Sequence, residues 1–201
     1  MRVAIFVSGR GSNMEAILNE KKKGNLPNAE IALVLSDKAD APALEKANAA
    51  GVKTVFVDSK PYRKNREGYD AEVLKVLREH NIEFIVLAGF MRIITPVLIE
   101  AFSHRIINIH PALLPAFPGL HAQKQALDYG VKVSGCTVHF VDAGMDTGPI
   151  ILQTAIPVNP DDTEDALSAR ILEFEHRLLP YALDLATSRR LRVDGRKVYL
   201  L

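Results

Sequence analysis

The sequence has one cysteine, almost no net charge and no long apolar run. Cys136 is the single cysteine among 201 residues, so an internal disulfide is excluded. Such low cysteine use is typical of a reducing compartment. Lys and Arg number 25 against 24 Asp and Glu, a net charge of +1, which argues against binding to nucleic acid or to acidic membranes. No segment approaches the length needed to span a bilayer. These absences predict a soluble cytoplasmic protein.

The sequence also lacks signs of a signal peptide, a repeat or a linker. The apolar stretch at residues 3–7 is short and runs directly into Ser8-Gly9, which is typical of a strand. With 48% hydrophobic residues, the chain is long enough to fill one core. We therefore expect one domain over residues 1–201.

Short β-branched runs alternate with longer helical patterns along most of the chain. Strands are predicted at residues 3–7, 31–35, 54–57, 84–88, 106–109, 133–140 and 150–156, and helices at 13–23, 42–50, 66–81, 96–101 and 121–129. Thr95-Pro96 marks a helix start, with Thr as N-cap and Pro at the first helical position. The alternation predicts an α/β fold: a single Rossmann-like domain with a mostly parallel sheet and helices on both faces.

The C-terminal part predicts a long helix and then a hairpin. An amphipathic pattern runs from Asp161 to about Ser188, and Pro180 should kink or break that helix. Asp194-Gly195 is a favoured two-residue turn and predicts a terminal hairpin around it.

The first predicted strand ends in the turn Ser8-Gly9-Arg10-Gly11-Ser12-Asn13. Such a turn at a helix start directs backbone N–H groups and the positive helix end towards an anion. Met14 stands where a dinucleotide fingerprint needs its third glycine, so the pattern favours one phosphate over a pyrophosphate. A turn without a ligand stays open. Asp37 is the best argument for a ribose-binding acid and a dinucleotide, although its neighbours look equally like a polar turn.

Asn108, His110 and Asp146 are the polar side chains most indicative of chemistry. Side chains alternate along a strand, so Asn108 and His110 share one face, and Pro111 places them at the strand's carboxyl end. Open α/β sheets bind ligands at that end. From these residues alone, a buried structural histidine is an equal alternative for His110. His139, in a later strand, either supports the site or packs in the core.

Five motifs, in this order and spacing, resemble the glycinamide ribonucleotide formyltransferase family, folate-dependent enzymes of purine synthesis. They are Ser8-Gly9-Arg10-Gly11-Ser12-Asn13, Leu87-Ala88-Gly89-Phe90-Met91-Arg92-Ile93, Asn108-Ile109-His110-Pro111-Ala112-Leu113-Leu114-Pro115, Phe117-Pro118-Gly119-Leu120-His121, and Val138-His139-Phe140-Val141 leading to Asp146-Thr147-Gly148-Pro149. The resemblance covers nearly the full chain.

The resemblance implies transfer of a formyl group from 10-formyltetrahydrofolate to the amino group of 5-phosphoribosylglycinamide, in de novo purine (IMP) biosynthesis. The catalytic residues that the resemblance implies are Asn108, His110 and Asp146. Amine attack on a formyl carbon builds an oxyanion that needs fixed donors, and the departing folate nitrogen needs a proton. Asp146 is expected to orient His110 and to raise its pKa.

The resemblance also assigns residues to the phosphoribosyl substrate. Gly11, Ser12 and Asn13 are expected to hold its phosphate, and Glu175 is expected to accept from its ribose hydroxyls. Periodicity alone leaves Glu175 equally compatible with a solvated helix face. Leu172 departs from the family, whose members have polar residues near this position.

By the same resemblance, the folate co-substrate lies against one strand end and one loop. The expected contacts, largely through main-chain atoms, are Met91, Arg92, Ile93, Ile94, Asn108, Val141, Asp142, Ala143 and Gly144. Apolar walls with a few fixed polar groups suit a flat heterocycle. Arg66 is expected to contact the carboxylates of the folate tail, with a merely solvated basic patch as the alternative.

Two other functions stay open. A formyltetrahydrofolate hydrolase shares Asn-x-His and the Asp but passes the formyl group to water. From another class, a non-catalytic or NAD-binding Rossmann-like module uses Gly9 and Gly11. The spacing of four histidines with Cys136 and with nearby carboxylates does not suggest zinc, so no metal is expected; they are His80, His104, His121 and His176. The expected partners are small molecules, with no nucleic acid or membrane, and monomer and homodimer are both left open.

Overall fold

The structure, a computed structural model, describes residues 1–201 and contains nine strands and six α-helices. The strands are β1 Arg2–Val7, β2 Glu30–Ser36, β3 Thr54–Phe56, β4 Phe84–Leu87, β5 Ile106–His110, β6 Val133–Phe140, β7 Ile150–Pro157, β8 Leu191–Asp194 and β9 Lys197–Leu200. The helices are α1 Ser12–Lys22, α2 Pro42–Ala49, α3 Arg66–Glu79, α4 Pro96–Ala101, α5 Ala122–Tyr129 and α6 Glu164–Thr187. A short 3₁₀ helix at Lys60–Tyr62 was not expected.

Seven strands form one sheet in the order β3-β2-β1-β4-β5-β6-β7. β1 pairs in parallel with β2 and β4, and β2 pairs in parallel with β3. β6 and β7 are antiparallel, and β8 and β9 form a separate antiparallel hairpin. The predicted α/β class, a mostly parallel sheet with helices followed by a C-terminal helix and hairpin, is confirmed.

The chain divides into two compact units, Met1–Ile107 and Asn108–Leu201. In the first unit the core surrounds β1, where every residue from Val3 to Val7 is fully buried. Continuous apolar runs of this kind are typical of parallel strands covered on both faces. No helix in the chain combines the length and apolar composition that a membrane crossing requires. The single domain over residues 1–201 stays a prediction.

In the second unit, α6 is one continuous helix of 24 residues that contains Pro180. Of the kink or break expected at Pro180, the break is wrong, and a kink stays a prediction. Thr163 caps the helix by accepting the N–H of Ala166. Leu179 and Leu183, on either side of Pro180, are fully buried. Buried apolar contacts on both sides offset the backbone hydrogen bond that proline cannot make.

The terminal hairpin is confirmed, but its turn lies one residue later than expected. Asp194 pairs with Lys197, so Gly195 and Arg196 are the two central residues. Gly195 has a φ of 57°, which a glycine adopts without steric cost in a hairpin turn.

Candidate active site

In the second unit, the structure brings together the three predicted catalytic residues. Asn108 and His110 lie at the carboxyl end of β5, and Asp146 lies in the loop between β6 and β7. His110 Nδ1 is 3.4 Å from Asp146 Oδ2, and Asn108 Nδ2 is 3.5 Å from Asp146 Oδ1. A carboxylate, an imidazole and a carboxamide therefore form one cluster.

The Asp146 side chain is held by the backbone around it. Asp146 has a φ of 54°, a conformation that costs free energy for a residue with a side chain. Its Oδ2 accepts the Gly119 N–H at 2.8 Å. At Gly148, a Cβ atom would come within 1.8 Å of the Phe140 carbonyl oxygen. This close backbone approach fixes the end of the loop that carries Asp146.

His139 is the fourth member of the cluster and is buried at 2% exposure. Its Nδ1 lies 2.8 Å from the Phe140 carbonyl, so Nδ1 carries the proton and donates. Its Nε2 is then an acceptor, and Asn108 Nδ2 donates to it at 3.2 Å. The alternation of β6 left two roles open for His139. The contact with Asn108 gives it a supporting role in the site.

His110 has an acceptor beside each ring nitrogen. Its Nε2 donates to the Phe117 carbonyl at 2.8 Å, while Nδ1 faces Asp146. Burial lowers the pKa of His110 below its ordinary value, although Asp146 and the Phe117 carbonyl act to raise it. Asp146 thus acts on the pKa of His110 in the expected direction, but the expectation of a raised net pKa is wrong, because desolvation of the imidazolium outweighs the attraction of the carboxylate. The resting imidazole is neutral near pH 7.

The pKa of the Asp146 carboxyl is lowered, which favours its charged form. Burial acts to raise the pKa of the Asp146 carboxyl, but the nearby His139, the N–H of Gly119 and the nearby His110 lower it overall. Hydrogen-bond donors and neighbouring imidazoles favour the carboxylate form. Asp146 is therefore ionised at neutral pH.

In the first unit, the turn predicted to bind a phosphate opens α1. Gly11 is the N-cap residue, has a φ of 77° and makes no side-chain cap, while Asn13 is buried. A Cβ on Gly11 would come within 2.6 Å of the Ala43 Cβ. Ser12 and Asn13 therefore start a helix whose first N–H groups have no side-chain cap, as an anion site requires.

The expected folate contacts of the first unit follow β4. The side chains of Met91 and Ile93 are 64% and 49% exposed, whereas Ile94 is buried. The Arg92 guanidinium lies over the Tyr69 ring, 4.3 Å from its centroid. Arg66 is the exposed first residue of α3.

The remaining predicted residues lie in the second unit. Glu175 is on α6 and is 6% exposed, so the alternative of a solvated helix face is wrong. Glu175 is close enough to Cys136 that burial, with its charge, raises the pKa of the thiol to about 12. In the loop after β6, Val141 and Asp142 are half-buried, and Ala143 and Gly144 are exposed.

No group of three or more His, Cys, Asp or Glu side chains in the chain is arranged to hold a metal ion. Asp37, the candidate ribose-binding acid, accepts the Ser8 hydroxyl at 2.6 Å. The structure thus gives Asp37 an intramolecular partner.

The sequence of this chain matches a known class of enzymes. The sequence model of the formyl transferase family matches residues 1–183. The chain therefore belongs to the formyl transferase family.

Named relatives agree with this family. The chain is 45% identical over 179 residues to phosphoribosylglycinamide formyltransferase from Bacillus subtilis, covering 89% of this chain and 91% of that protein. The crystal structure of glycinamide ribonucleotide transformylase 1 from Symbiobacterium toebii matches with a TM-score of 0.97 and 47% identity, over 100% of this chain and 94% of that one.

A third relative is much longer. The chain is 47% identical over 192 residues to the trifunctional purine biosynthetic protein adenosine-3 of Drosophila pseudoobscura pseudoobscura. That match covers 95% of this chain but 14% of the relative. The chain thus spans about one seventh of that relative's length.

Proposed function

We propose that this chain transfers the formyl group of 10-formyltetrahydrofolate to the amino group of 5-phosphoribosylglycinamide, in purine biosynthesis. The observation that carries the proposal is the cluster of Asn108, His110, His139 and Asp146 at the end of β5. The named relatives add support, because the bacterial ones are phosphoribosylglycinamide formyltransferases and the long one is a purine biosynthetic protein.

Asn108 stabilises the oxyanion that forms when the amine attacks the formyl carbon. One amide hydrogen is donated to His139 at 3.2 Å, while the other is directed at Asp146 over 3.5 Å. The second contact is at the limit of a hydrogen bond. It is therefore the one that Asn108 exchanges for the oxyanion, while His139 keeps the amide in place.

His110 moves the proton from the attacking amine to the departing folate nitrogen. When ligand binding releases Nε2 from the Phe117 carbonyl, the ring adopts the other tautomer, with Nδ1–H donating to Asp146. Nε2 is then a free base near the reaction. It accepts the amine proton, and the resulting imidazolium, stabilised by the Asp146 carboxylate, donates it to the leaving nitrogen. No proton is gained or lost overall.

The substrate contacts follow the family resemblance. The phosphate binds at Gly11, Ser12 and Asn13, and this is supported by the uncapped start of α1. Glu175 accepts from the ribose hydroxyls, and its burial supports a role other than solvation. Leu172 cannot supply a polar contact to the phosphate.

The folate-type co-substrate that the family implies is bound in its 10-formyl form and without a metal. Its contacts are Arg66, Met91, Arg92, Ile93, Ile94, Asn108, Val141, Asp142, Ala143 and Gly144. The exposed apolar side chains of Met91 and Ile93 support this assignment, because they offer a surface for a flat heterocycle.

Residues 1–201 act as one formyltransferase domain. The family match supports this, since it runs from residue 1 to 183 and so crosses the boundary between the two units. The protein acts in the cytoplasm on small molecules and binds no nucleic acid.

The hydrolase and the NAD-binding module are less well supported. The named bacterial relatives are transferases, and Asp37 is hydrogen-bonded to Ser8. A product assay separates the classes: we expect formylated phosphoribosylglycinamide from the wild type, and formate without a formylated product would indicate the hydrolase.

Variants test the cluster itself. We expect Asn108→Ala and His110→Ala each to slow turnover by about a hundredfold or more. His104→Ala, at an exposed histidine of the first unit, is the control and is expected to retain wild-type turnover. Near-normal turnover in both cluster variants would end the assignment.

A further inference from the structure

Residues 91–95, which follow β4, are held at both ends by side chains of the first unit. At the start, Met91 N–H donates to the Ser8 hydroxyl at 2.9 Å. At the end, the N–H and the hydroxyl of Thr95 both donate to Asp70 Oδ2, each at 2.7 Å. Ser8, Asp70 and Thr95 are all more than nine-tenths buried, so water competes little for these bonds.

The Ser8 contact is itself oriented by a third residue. The single hydroxyl hydrogen of Ser8 is donated to Asp37 Oδ1 at 2.6 Å. Its lone pairs are then directed at Met91 N–H. The Ser8 backbone N–H also donates to the Gly89 carbonyl at 3.2 Å. Asp37 therefore acts on the start of the segment through Ser8.

The Thr95 contact departs from the usual role of its position. Thr95 is the N-cap residue of α4, as expected, but its side chain does not cap the helix. The hydroxyl donates to Asp70 instead. The preceding residue on α3, Tyr69, lies under the Arg92 guanidinium. α3 thus holds the middle and the end of the segment.

Between the two anchors, the backbone groups of Arg92, Ile93 and Ile94 pair with no other backbone group of the first unit. A short segment with fixed ends presents these polar groups in one geometry, so less entropy is lost when a ligand pairs with them.

We infer that Ser8, Asp37, Asp70 and Thr95 are positioning residues that set the affinity for the folate co-substrate by holding residues 91–95 in their binding geometry. The inference rests on the proposed binding of that co-substrate along residues 91–94. None of the four needs to touch the ligand.

Steady-state kinetics with both substrates varied test the inference. We expect Ser8→Ala and Thr95→Val to raise KM for 10-formyltetrahydrofolate about threefold to tenfold, the effect of one hydrogen bond. We expect kcat to stay within about twofold, and KM for phosphoribosylglycinamide to be unchanged. Asp70→Asn keeps an oxygen that can accept both Thr95 hydrogens, so it is expected to retain the wild-type KM.

Thr187→Val is the matched control. Thr187 is also a buried threonine, but its hydroxyl bonds to carbonyls within its own helix. We expect it to lower the melting temperature without changing either KM. Equal KM values for the folate in Thr95→Val and the wild type, or the same change in Thr187→Val, would overturn the inference.

Amide hydrogen exchange tests the anchoring hydrogen bonds directly and does not depend on an activity assay. We expect the Met91 amide to exchange at least about tenfold faster in Ser8→Ala than in the wild type or in Thr187→Val. Unchanged protection would refute the inference. A wild-type chain that forms no formylated product would refute the proposed function alone, and the exchange result would still decide whether the anchors hold.

Discussion

His110 and Asp146 face each other across 3.4 Å, and both are bound to the same stretch of backbone. The Phe117 carbonyl accepts from His110 Nε2 at 2.8 Å, and the Gly119 N–H donates to Asp146 Oδ2 at the same distance. Any shift of residues 117–119 therefore changes the hydrogen bonding of both side chains together. The proton-transfer pair is coupled to the position of that turn.

Asp146→Asn keeps the shape of the side chain and removes its charge. We expect turnover to fall about a hundredfold, because the imidazolium of His110 loses its counter-ion. The pKa of His110 is already lowered by burial, and Asp146 opposes that shift. Without the Asp146 carboxylate, the pKa of His110 falls further. Since the free base is the active form, the acidic limb of the kcat/KM profile should move to lower pH.

Asp128→Asn is the control for this profile, because Asp128 is an exposed carboxylate on α5 paired with Lys124. We expect its profile to match the wild type. An unmoved acidic limb in Asp146→Asn would count against electrostatic support of His110.

His139→Ala tests whether His139 acts through Asn108. Removing the imidazole leaves the Asn108 amide without its 3.2 Å acceptor, so we expect kcat to fall about tenfold, with both KM values unchanged. Because the two residues act as a unit, the double variant with Asn108→Ala should be no slower than Asn108→Ala alone. Fully additive losses would show that His139 acts independently of the amide.

Gly11→Ala and Gly130→Ala form a matched pair for the phosphate turn. Both glycines have a positive φ, 77° and 79°, but only at Gly11 would the added Cβ meet a neighbour, at 2.6 Å. In urea unfolding, we expect the free energy of unfolding of both variants to be lower than that of the wild type by about 1 kcal/mol or more, because the added Cβ strains the backbone. We expect KM for phosphoribosylglycinamide to rise about fivefold or more in Gly11→Ala only. Equal KM values in the two variants would argue against a phosphate at this turn.

Asp70→Asn should change the pH dependence of stability. Burial raises the pKa of the Asp70 carboxyl above its ordinary value, although the Thr95 hydrogen bonds lower it. The protonated form is thus favoured on folding, and its contribution is present below pH 3.8 and lost as pH rises through the folded pKa. The amide does not ionise. We expect the stability of the variant relative to wild type to increase from pH 4 to pH 8, as measured by thermal unfolding. A pH-independent difference would contradict this.

The elements of the fold were largely predictable from local patterns. β6 and α4 were predicted with the bounds that the structure has, because a β-branched run and a Thr-Pro start are local signals. The uninterrupted α6 was not predictable in this way. Whether a proline breaks a helix depends on how much apolar surface the two halves bury, and that is a property of the packed unit.

The sequence predicted which residues form the candidate site better than it predicted their pKa values and hydrogen-bond partners. Asn108 and His110 share a face because of the strand period, and this needs no tertiary information. The pairing of His139 with Asn108, and the direction of the His110 pKa, depend on distance and burial. A sequence shows a charged neighbour but not the water that folding removes, so it does not reveal how strongly burial lowers the pKa of His110.

By itself, the sequence determined the alternation of strands and helices, the turn that opens α1 and the placement of two polar side chains at a strand end. All three follow from short-range periodicity and from residue-specific backbone preferences. Only the tertiary structure decided which groups meet across the chain: Asp146 with His110, Asp37 with Ser8, and Asp70 with Thr95. These contacts join residues 25 to 36 positions apart, and such separations are closed by packing of the whole chain rather than by local propensity.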